Sequence, residues 1–343
     1  MDRRRFTNPW PGAQPPHGWR DILRWSRERG WIQRRSRTEP PDFELATPAF
    51  HEPRAPRDTL AATWIGHSTV LVQMGGLNIL TDPMWSERAS PLRALGPRRV
   101  IPPGATLESL PPLDLVLLSH NHYDHLDSRT VRRLARLQPG AHWMVPLGLA
   151  RLLRRFGVRK TTELGWWEEA TIAGAHVACT PARHFSARGF RDRMRTLWCG
   201  WAVRVADHTL YFAGDTAYHP DFAKIGERYG PFDIVLLPIG AYDPRWFMER
   251  VHVDPEEAVR AYLDVSGESL DGQGSPRPPR IALGIHWGTF KLTDEPMDEP
   301  PKRARAAWRA AGLPDEELWI FRHGETRELD LARTRPTSPG RAV

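Results

Sequence analysis

The chain has 343 residues, a formal net charge of +7 and 40% hydrophobic residues, which suits one large domain better than a small module. It contains no run of about 18 apolar residues, so the sequence predicts no membrane-spanning helix. Its two cysteines, Cys179 and Cys199, exclude a disulfide framework and a thiolate-rich metal site. The basic charge suits anionic partners, although an arginine-biased composition is an equally good explanation.

The first 57 residues are rich in Pro, Arg and Trp and show little periodicity. One stretch, WRDILRWSRERGW at 19–31, has the pattern of a short helix. We predict that residues 1–57 form an arm that packs on a main domain of residues 58–330, because disordered segments are usually poor in aromatic residues. The basic start is not followed by an apolar leader, so a cytoplasmic protein is expected, with a peripheral position at the inner membrane surface left open.

The regular pattern starts near Thr59, where TLAATWIGHSTVLVQMGGLNILTDP predicts a hairpin around Gly75 and Gly76. Strand-like and helical stretches then alternate along the chain. The predicted strands are 113–119, 141–146, 170–180, 197–206, 208–214, 232–239, 280–286 and 317–323. The predicted helices are 127–138, 147–156, 220–229, 254–265 and 301–311. Mixed strands and helices in this order predict a layered α/β architecture.

One helix start is well marked in the sequence. Asp254 is a predicted N-cap, Pro255 suits the first helical position, and Glu257 completes a capping box. After this helix, residues 266–280 are polar and rich in Gly and Pro, which predicts a surface loop. The tail at 331–343 is predicted to be disordered.

The stretch LLSHNHYDHLD places three histidines and an aspartate directly after an aliphatic run. Residues i and i+2 of an extended segment project to the same side, so His120 and His122 can bind one ion. Asp124 and His125 follow after a turn and can reach a second ion from another direction. This short segment therefore predicts parts of two adjacent metal sites.

Three more candidate ligands follow strand-like runs elsewhere: His184 after AHVACTPAR, Asp215 after HTLYFAG and His286 after RIALGI. Zinc requires four or five ligands, so the first cluster alone is incomplete. An isolated histidine after a strand is more simply explained as a hydrogen-bonded turn residue, and the cluster is what favours metal binding here. Seven nitrogen and oxygen ligands suit a two-metal hydrolase, in which Asp215 is the predicted bridge.

HNHYDH resembles the signature of metallo-β-lactamase-fold hydrolases, and the likeness is closest to N-acylphosphatidylethanolamine-hydrolysing phospholipase D and its bacterial relatives. The motifs that carry it are NPWP (8–11), TWIGHSTVLVQM (63–74), LTDPMWSERASP (80–91), FAGDTAY (212–218), PIGAYDPRWFM (238–248), HVDPEEAV (252–259) and IHWGTF (285–290). The resemblance implies a four-layer αββα sandwich with metals at one edge. It assigns the ligands as follows: His120, His122 and His184 to the first metal; Asp124, His125 and His286 to the second; Asp215 to both.

The same resemblance implies two Zn²⁺, with Fe or Mn as substitutes, and a phosphodiesterase of the phospholipase D type. A hydroxide bridging the two metals would attack the phosphodiester, and Asp124 would orient it or take its proton. His252 would contact a phosphoryl oxygen or the leaving group. Asp82 is expected to orient a ligand imidazole, and His67 has the same expected role, with a purely structural histidine as the alternative.

Other functions remain open from the sequence. The same metals could serve hydrolysis of a lactone, a β-lactam or a nucleic-acid phosphodiester, because one fold hosts many chemistries. A binding protein with structural metals is disfavoured, since structural zinc sites are usually closed and single. The expected partner is a phospholipid-like phosphodiester substrate, and nucleic acid is disfavoured. A homodimer is left open, as is membrane contact through the basic pattern LGLARLLRRFG (147–157), for which a core-facing helix is the favoured alternative.

Overall fold

A computed structural model describes residues 5–11, 13, 16–35, 42–92, 94–189, 191–267 and 281–329. The strands within these ranges are β1 (Leu60–Gly66), β2 (Thr69–Met74), β3 (Leu77–Thr81), β4 (Leu115–Leu117), β5 (His142–Pro146), β6 (Thr161–Leu164), β7 (Glu169–Ile172), β8 (Ala175–Thr180), β9 (Gly200–Val205), β10 (His208–Phe212), β11 (Ile234–Pro238), β12 (Ile281–Ile285), β13 (Leu318–Trp319) and β14 (Thr326–Leu329). The α-helices are α1 (Trp19–Arg35), α2 (Ser128–Leu137), α3 (Ala150–Arg155), α4 (Asp221–Tyr229), α5 (Arg245–Met248), α6 (Pro255–Ser266) and α7 (Glu299–Ala310). Over the described ranges, none of these helices has the length and apolar character needed to cross a membrane.

The strands form two mixed sheets of seven strands each. The first has the order β14-β1-β2-β3-β4-β5-β6, and the second has the order β13-β12-β11-β10-β9-β8-β7. Strands β3 to β6 are parallel to one another, as are β10 to β13, whereas the remaining neighbours pair antiparallel. With helices packed outside both sheets, this architecture confirms the predicted αββα sandwich.

An apolar layer lies between the two sheets. Alternate residues of β1, namely Leu60, Ala62 and Trp64, join a buried cluster with Trp201 and Phe212 of the second sheet. The spacing of two is that of a strand with one face on the core. Every residue of β1 is buried, as expected of strands in a sheet covered on both faces.

A second apolar layer lies between the first sheet and helices α2 and α3. Leu71 of β2 packs there in one cluster with Val131 of α2 and Leu153 of α3. Leu149 and Leu153 are fully buried in this layer. Within the basic pattern at 147–157, α3 therefore faces the core, and these two leucines are not available to a lipid surface.

Residues with positive φ values at two turns explain why one strand prediction is right and another is wrong. The hairpin is confirmed: Gly75 and Gly76 connect β2 to β3 at φ values of 60° and 81°, which a two-residue turn of this kind requires. The single strand predicted at 170–180 is wrong. Ala173 and Gly174 adopt φ values of 53° and 83°, and the segment folds into the hairpin β7–β8.

Some short elements were not predicted or are shorter than predicted. Strands β6 and β14 have four residues each, are mostly polar and are only partly buried, so they carry little hydrophobic periodicity. Helix α5 has four residues and was also missed. Of the run predicted at 317–323, only β13 pairs, and α3 begins at Ala150 rather than at 147.

The described part of the N-terminal arm contacts the main domain. The Trp10 Nε1 atom donates a hydrogen bond of 3.0 Å to Asp221 Oδ2, and Trp25 Nε1 donates one of 2.7 Å to Asp294 Oδ2. The helix expected at 19–31 is present as α1. Indole nitrogens bonded to carboxylates in this way attach the arm to elements far along the chain.

The boundary between residues 57 and 58 stays a prediction. The predicted surface loop at 266–280, apart from residues 266 and 267, lies outside the described residues. The tail predicted to be disordered at 331–343 also lies outside them.

Helix α6 begins after Asp254, as predicted. The Asp254 side chain accepts a hydrogen bond of 2.8 Å from Glu257 N, and the Glu257 carboxylate accepts one of 3.3 Å from Asp254 N. This capping box satisfies backbone donors that have no partner within the helix. It also fixes the end of the segment that carries His252.

Replacing Asp254 by Ala should lower the free energy of unfolding by about 1–2 kcal/mol in chemical denaturation, because the cap acceptor is lost. Asp254→Asn keeps an acceptor and should stay close to wild type. If both variants lose the same free energy of unfolding, the hydrogen bond of the cap is not the cause. The loss would then come from the longer ion pairs of Asp254 with Arg245 and Arg303.

Candidate metal centre

The candidate ligands follow strands whose carboxyl ends meet at one edge of the sandwich. In the first sheet β1, β3 and β4 run in one direction, and in the second sheet so do β8, β10 and β12. Residues that leave these ends are therefore brought close together. They are His67 after β1, Asp82 after β3, His120 after β4, His184 after β8, Asp215 after β10 and His286 after β12.

A first group of potential ligands consists of His120, His122 and His184. His122 Nδ1 lies 2.8 Å from His120 Nε2 and 3.2 Å from His184 Nε2. All three are the residues predicted for the first metal, and the structure places their nitrogens around one point.

Hydrogen bonds on the far side of two rings determine which nitrogen is free to bind a metal. His184 Nδ1 donates to the carbonyl oxygen of Val251 at 2.8 Å, because a carbonyl only accepts. The Ser119 hydroxyl donates to Asp82 Oδ2 at 2.5 Å and so accepts from His120 Nδ1 at 2.8 Å. Both Nε2 atoms therefore carry lone pairs. His122 Nδ1 can donate to only one of them, so the three nitrogens cannot satisfy one another.

A second group consists of Asp124, His125 and His286, together with His67. Asp124 Oδ2 lies 3.5 Å from His125 Nε2 and 3.6 Å from His286 Nε2. His125 donates Nδ1–H to Asp82 Oδ2 at 2.7 Å, so Nε2 is the nitrogen that faces the group. The three residues predicted for the second metal thus also point to one position.

Asp215 connects the two groups. Its Oδ2 atom lies 3.0 Å from His125 Nε2 and 3.2 Å from His286 Nε2 of the second group. The same oxygen is 3.8 Å from His184 Nε2 and 3.9 Å from His120 Nε2 of the first group. One carboxylate within reach of both groups has the position expected of a bridging ligand.

Asp82 supports both groups from behind. Its carboxylate accepts from Ser119 N at 2.7 Å, from the Ser119 hydroxyl and from His125 Nδ1. It is close enough to His120 and His125 to be grouped with them as a metal-capable set. Because these donors already occupy its oxygens, we assign Asp82 to orienting His125 directly and His120 through Ser119.

Several buried atoms of the centre have no hydrogen-bond partner among the described residues: His125 Nε2, His286 Nε2 and Asp215 Oδ1. The short distances from Asp215 to these two imidazoles therefore do not have hydrogen-bond geometry. Buried polar atoms are normally paired, and a cation satisfies converging lone pairs. The residues fit two divalent ions, and histidine with carboxylate suits zinc as well as iron or manganese.

Burial and charge divide the imidazoles into two kinds. Burial is the main cause that lowers the pKa of His122 to about 3 and of His184 to about 4, so both are neutral donors near pH 7. Burial also acts to lower the pKa of His286, but Asp215 and Asp124 outweigh it and raise that pKa to about 9. Without metal, His286 therefore holds a proton at neutral pH.

Metal binding at pH 7 should release at least about one proton, because the ion must displace the proton of His286. Since the pKa of this group is raised, zinc affinity should increase from pH 6 towards pH 9 and level off above it. Titration calorimetry in buffers of different ionisation enthalpy measures the released protons. Affinity that is unchanged between pH 7 and pH 9, without proton release, would contradict this assignment.

Ser119→Ala should weaken the binding of metal by the first group about 10- to 100-fold, because His120 Nδ1 loses its acceptor. Competition with a chromophoric chelator measures this affinity. Ser186→Ala is a matched control, since the buried Ser186 hydroxyl bonds Thr196 O and no ligand imidazole. Equal affinity in Ser119→Ala and wild type would show that the hydroxyl does not orient His120.

The loop that carries the first four ligands is held by an arginine. Arg188 donates from Nη1 to the carbonyl oxygens of Asn121 at 2.8 Å and of Leu126 at 2.6 Å. Its guanidinium lies 4.0 Å from the centroid of the Tyr123 ring, and the Tyr123 hydroxyl donates to Arg188 O. These contacts fix the loop near both of its ends, at Asn121 and at Leu126.

His252 lies at the side of the centre. It groups with His184 and Asp215, and its ring centroid is 5.0 Å from that of His184. Arg245 donates to His252 O at 3.0 Å, which fixes the backbone of this segment. The structure thus places His252 beside the first ligand group and Asp215, and its catalytic role stays a prediction, as does that of Asp124.

Sequence reasoning did not assign Ser119, Val251 or Arg188. Ser119 directly precedes His120, so a hydroxyl at the end of a buried strand was an available signal. The carbonyl of Val251 has no side-chain signature, and Arg188 is one of many arginines. Contacts of this kind become visible only when the loops are placed in space.

Comparison with known proteins agrees with this geometry. The model of the β-lactamase superfamily domain matches residues 77–287. The chain belongs to the metallo-β-lactamase superfamily. The match covers the histidine loop and the other three predicted ligands, His184, Asp215 and His286, and it makes a metal-dependent hydrolase the supported class of enzyme.

Individual relatives of this superfamily member are similar over most of the chain. An uncharacterized protein of Mycobacterium tuberculosis is 46% identical over 265 residues, which are 77% of this chain and 67% of that protein. The N-acyl-phosphatidylethanolamine-hydrolyzing phospholipase D 1 of Caenorhabditis elegans is 43% identical over 252 residues, 70% of this chain and 67% of that protein. Igni18, a metallo hydrolase of Ignicoccus hospitalis, has the same fold, with a TM-score of 0.58, 24% identity, and coverage of 79% of this chain and 99% of that one.

Proposed function

We propose that this metallo-β-lactamase-fold hydrolase is a dinuclear phosphodiesterase that cleaves N-acylphosphatidylethanolamine-like phospholipids to phosphatidic acid and an N-acylethanolamine. The observation that carries the dinuclear chemistry is the position of Asp215 Oδ2 between the two ligand groups. The substrate class is supported by the 43% identity to a phospholipase D of that specificity. We propose zinc as the ion.

When bound, two divalent ions lower the pKa of a water molecule and neutralise charge on the phosphoryl oxygens. Asp124 is ionised at neutral pH, so it can accept a hydrogen bond from that water and orient it, and we propose that it does this or takes the proton. Burial works against its charged form, but His125, His286 and His67 outweigh burial and hold the pKa of Asp124 well below its ordinary value. Its side chain is 14% exposed, so it is open to the cleft as well as to the ligand group.

His252 is suited to donate a hydrogen bond on the substrate side. In the proposed reaction the oxygen of water bonds to phosphorus, and the bond from phosphorus to the ethanolamine oxygen breaks. The departing oxygen takes up the proton that the attacking water loses. Burial holds the pKa of His252 well below its ordinary value, so the N–H of this neutral imidazole is a candidate hydrogen-bond donor to that oxygen or to a phosphoryl oxygen. No cysteine nucleophile is involved, because Cys179 and Cys199 are both buried in the core.

Zinc-loaded protein should hydrolyse N-acylphosphatidylethanolamine in mixed micelles, with release of N-acylethanolamine measured by mass spectrometry. His120→Ala and Asp215→Ala should each lower kcat/KM by at least about 1,000-fold, which is about 4 kcal/mol of lost transition-state stabilisation. Both variants should keep a cooperative unfolding transition, since the apolar layers do not include these side chains.

The control for general effects of removing a histidine is His176→Ala, because His176 pairs with Glu169 on the surface, away from the ligand groups. This variant should retain full activity. The same preparations should be tested on a lactone, a β-lactam and a simple nucleic-acid phosphodiester. Turnover of one of these without turnover of the phospholipid would overturn the proposed substrate while leaving the metal centre intact. Full activity of Asp215→Ala would overturn the centre itself.

A further inference from the structure

His67 is a buried histidine that contacts the second ligand group without being one of the seven predicted ligands. It is 1% exposed and follows β1 at the turn into β2. Its Nε2 atom lies 3.1 Å from Asp124 Oδ2, and its ring centroid is 4.1 Å from that of His286 and 5.2 Å from that of His125. It therefore contacts every member of the second group.

The backbone of His67 is fixed to the segment that carries His286. His67 N donates to Thr289 Oγ1 at 2.7 Å, and His286 N donates to His67 O at 3.1 Å. A further bond of 2.8 Å comes to the same carbonyl from Trp64 Nε1. His67 and His286 both adopt positive φ values, of 55° and 61°. Non-glycine residues persist in this region only where surrounding contacts determine them, often at functional sites.

Hydrogen-bond geometry separates His67 from the ligand imidazoles. The contact from His67 Nε2 to Asp124 has the geometry of a hydrogen bond, in which the imidazole N–H donates to the carboxylate. Among the described residues, the Nε2 atoms of His125 and His286 lie near Asp215 without hydrogen-bond geometry. The His67 nitrogen is committed to its bond with Asp124, whereas the other two have no hydrogen-bond partner within the described ranges and can coordinate a metal once they lose their protons.

We propose that His67 is a positioning residue of the metal centre, which holds the Asp124 carboxylate in the orientation that the second ion requires. The bond to Asp124 Oδ2, the oxygen that lies nearest His125 and His286, limits rotation of the carboxylate about its last bond. The same residue also fixes His286 through its backbone, so two ligands of one ion depend on it. Outer partners of this type commonly change metal affinity 10- to 100-fold. The inference depends on the dinuclear centre and not on the proposed substrate.

The decisive comparison is between His67→Phe and His67→Gln. Phenylalanine keeps a flat ring against His286 but cannot donate to Asp124, whereas the glutamine amide can. His219→Gln is the matched control, because His219 is also a buried histidine, 1% exposed, and its ring stacks between Trp10 and Phe222 rather than against a ligand. The backbone bonds of residue 67 do not depend on its side chain.

Each protein is titrated with cobalt(II), whose visible spectrum reports coordination geometry, and with zinc in competition with a chelator. Wild type should bind two ions per chain. His67→Phe should bind the first ion as wild type does and the second about 10- to 100-fold more weakly, with a changed cobalt spectrum. His67→Gln should recover much of this loss, and His219→Gln should match wild type.

Three results would overturn the proposal. Two ions bound by His67→Phe with wild-type affinity and spectrum would show that the hydrogen bond does not matter. Complete loss of one ion in both His67 variants would make His67 a ligand instead. The same loss in His219→Gln would show that any change to a buried histidine disturbs the centre. Because only metal binding is measured, these outcomes are independent of whether the phospholipid is the substrate.

Discussion

The convergence of four imidazole nitrogens on Asp215 Oδ2, at 3.0 to 3.9 Å, is the arrangement on which the proposed chemistry of this protein depends. Buried polar atoms without full hydrogen bonding are costly, and lone pairs that face one another repel. The surrounding structure holds several of these donors, and a cation bound at the point of convergence would make the arrangement favourable. Residues outside the centre hold these atoms in place through hydrogen bonds to the ligand side chains.

Three ligand rings, those of His120, His125 and His184, are held by a hydrogen bond on the side that faces away from the centre. Ser119, Asp82 and the carbonyl of Val251 bind the Nδ1 atoms, and each leaves an Nε2 atom to face the metal position. These partners lie on loops that leave the two sheets, so the positions of the ligand side chains are fixed relative to the sheets. The apolar layers that stabilise the sandwich are separate from the centre, which explains why loss of a ligand need not unfold the chain.

Local sequence identified residues that the structure brings together, because the most informative part of the candidate centre is continuous. Four ligands stand within six residues after a buried strand, and their spacing alone indicates two half-sites. His184, Asp215 and His286 each follow a strand, and the parallel arrangement of β8, β10 and β12 brings their ends together. Strands β6 and β14 were missed for the opposite reason, since four polar residues at a sheet edge leave no apolar pattern.

The sequence by itself determined the layered architecture, the hairpin at Gly75 and Gly76, the cap at Asp254 and the identity of the candidate ligands, because each depends on periodicity or on close neighbours. Only the tertiary structure decided which nitrogen of each imidazole is free, that Val251 contributes its carbonyl, and that His67 bonds Asp124. The bond from His184 to the Val251 carbonyl spans 67 positions of the chain, and the bond from His67 to Asp124 spans 57. Their geometry follows from how the two sheets pack, and no local pattern of side chains encodes it.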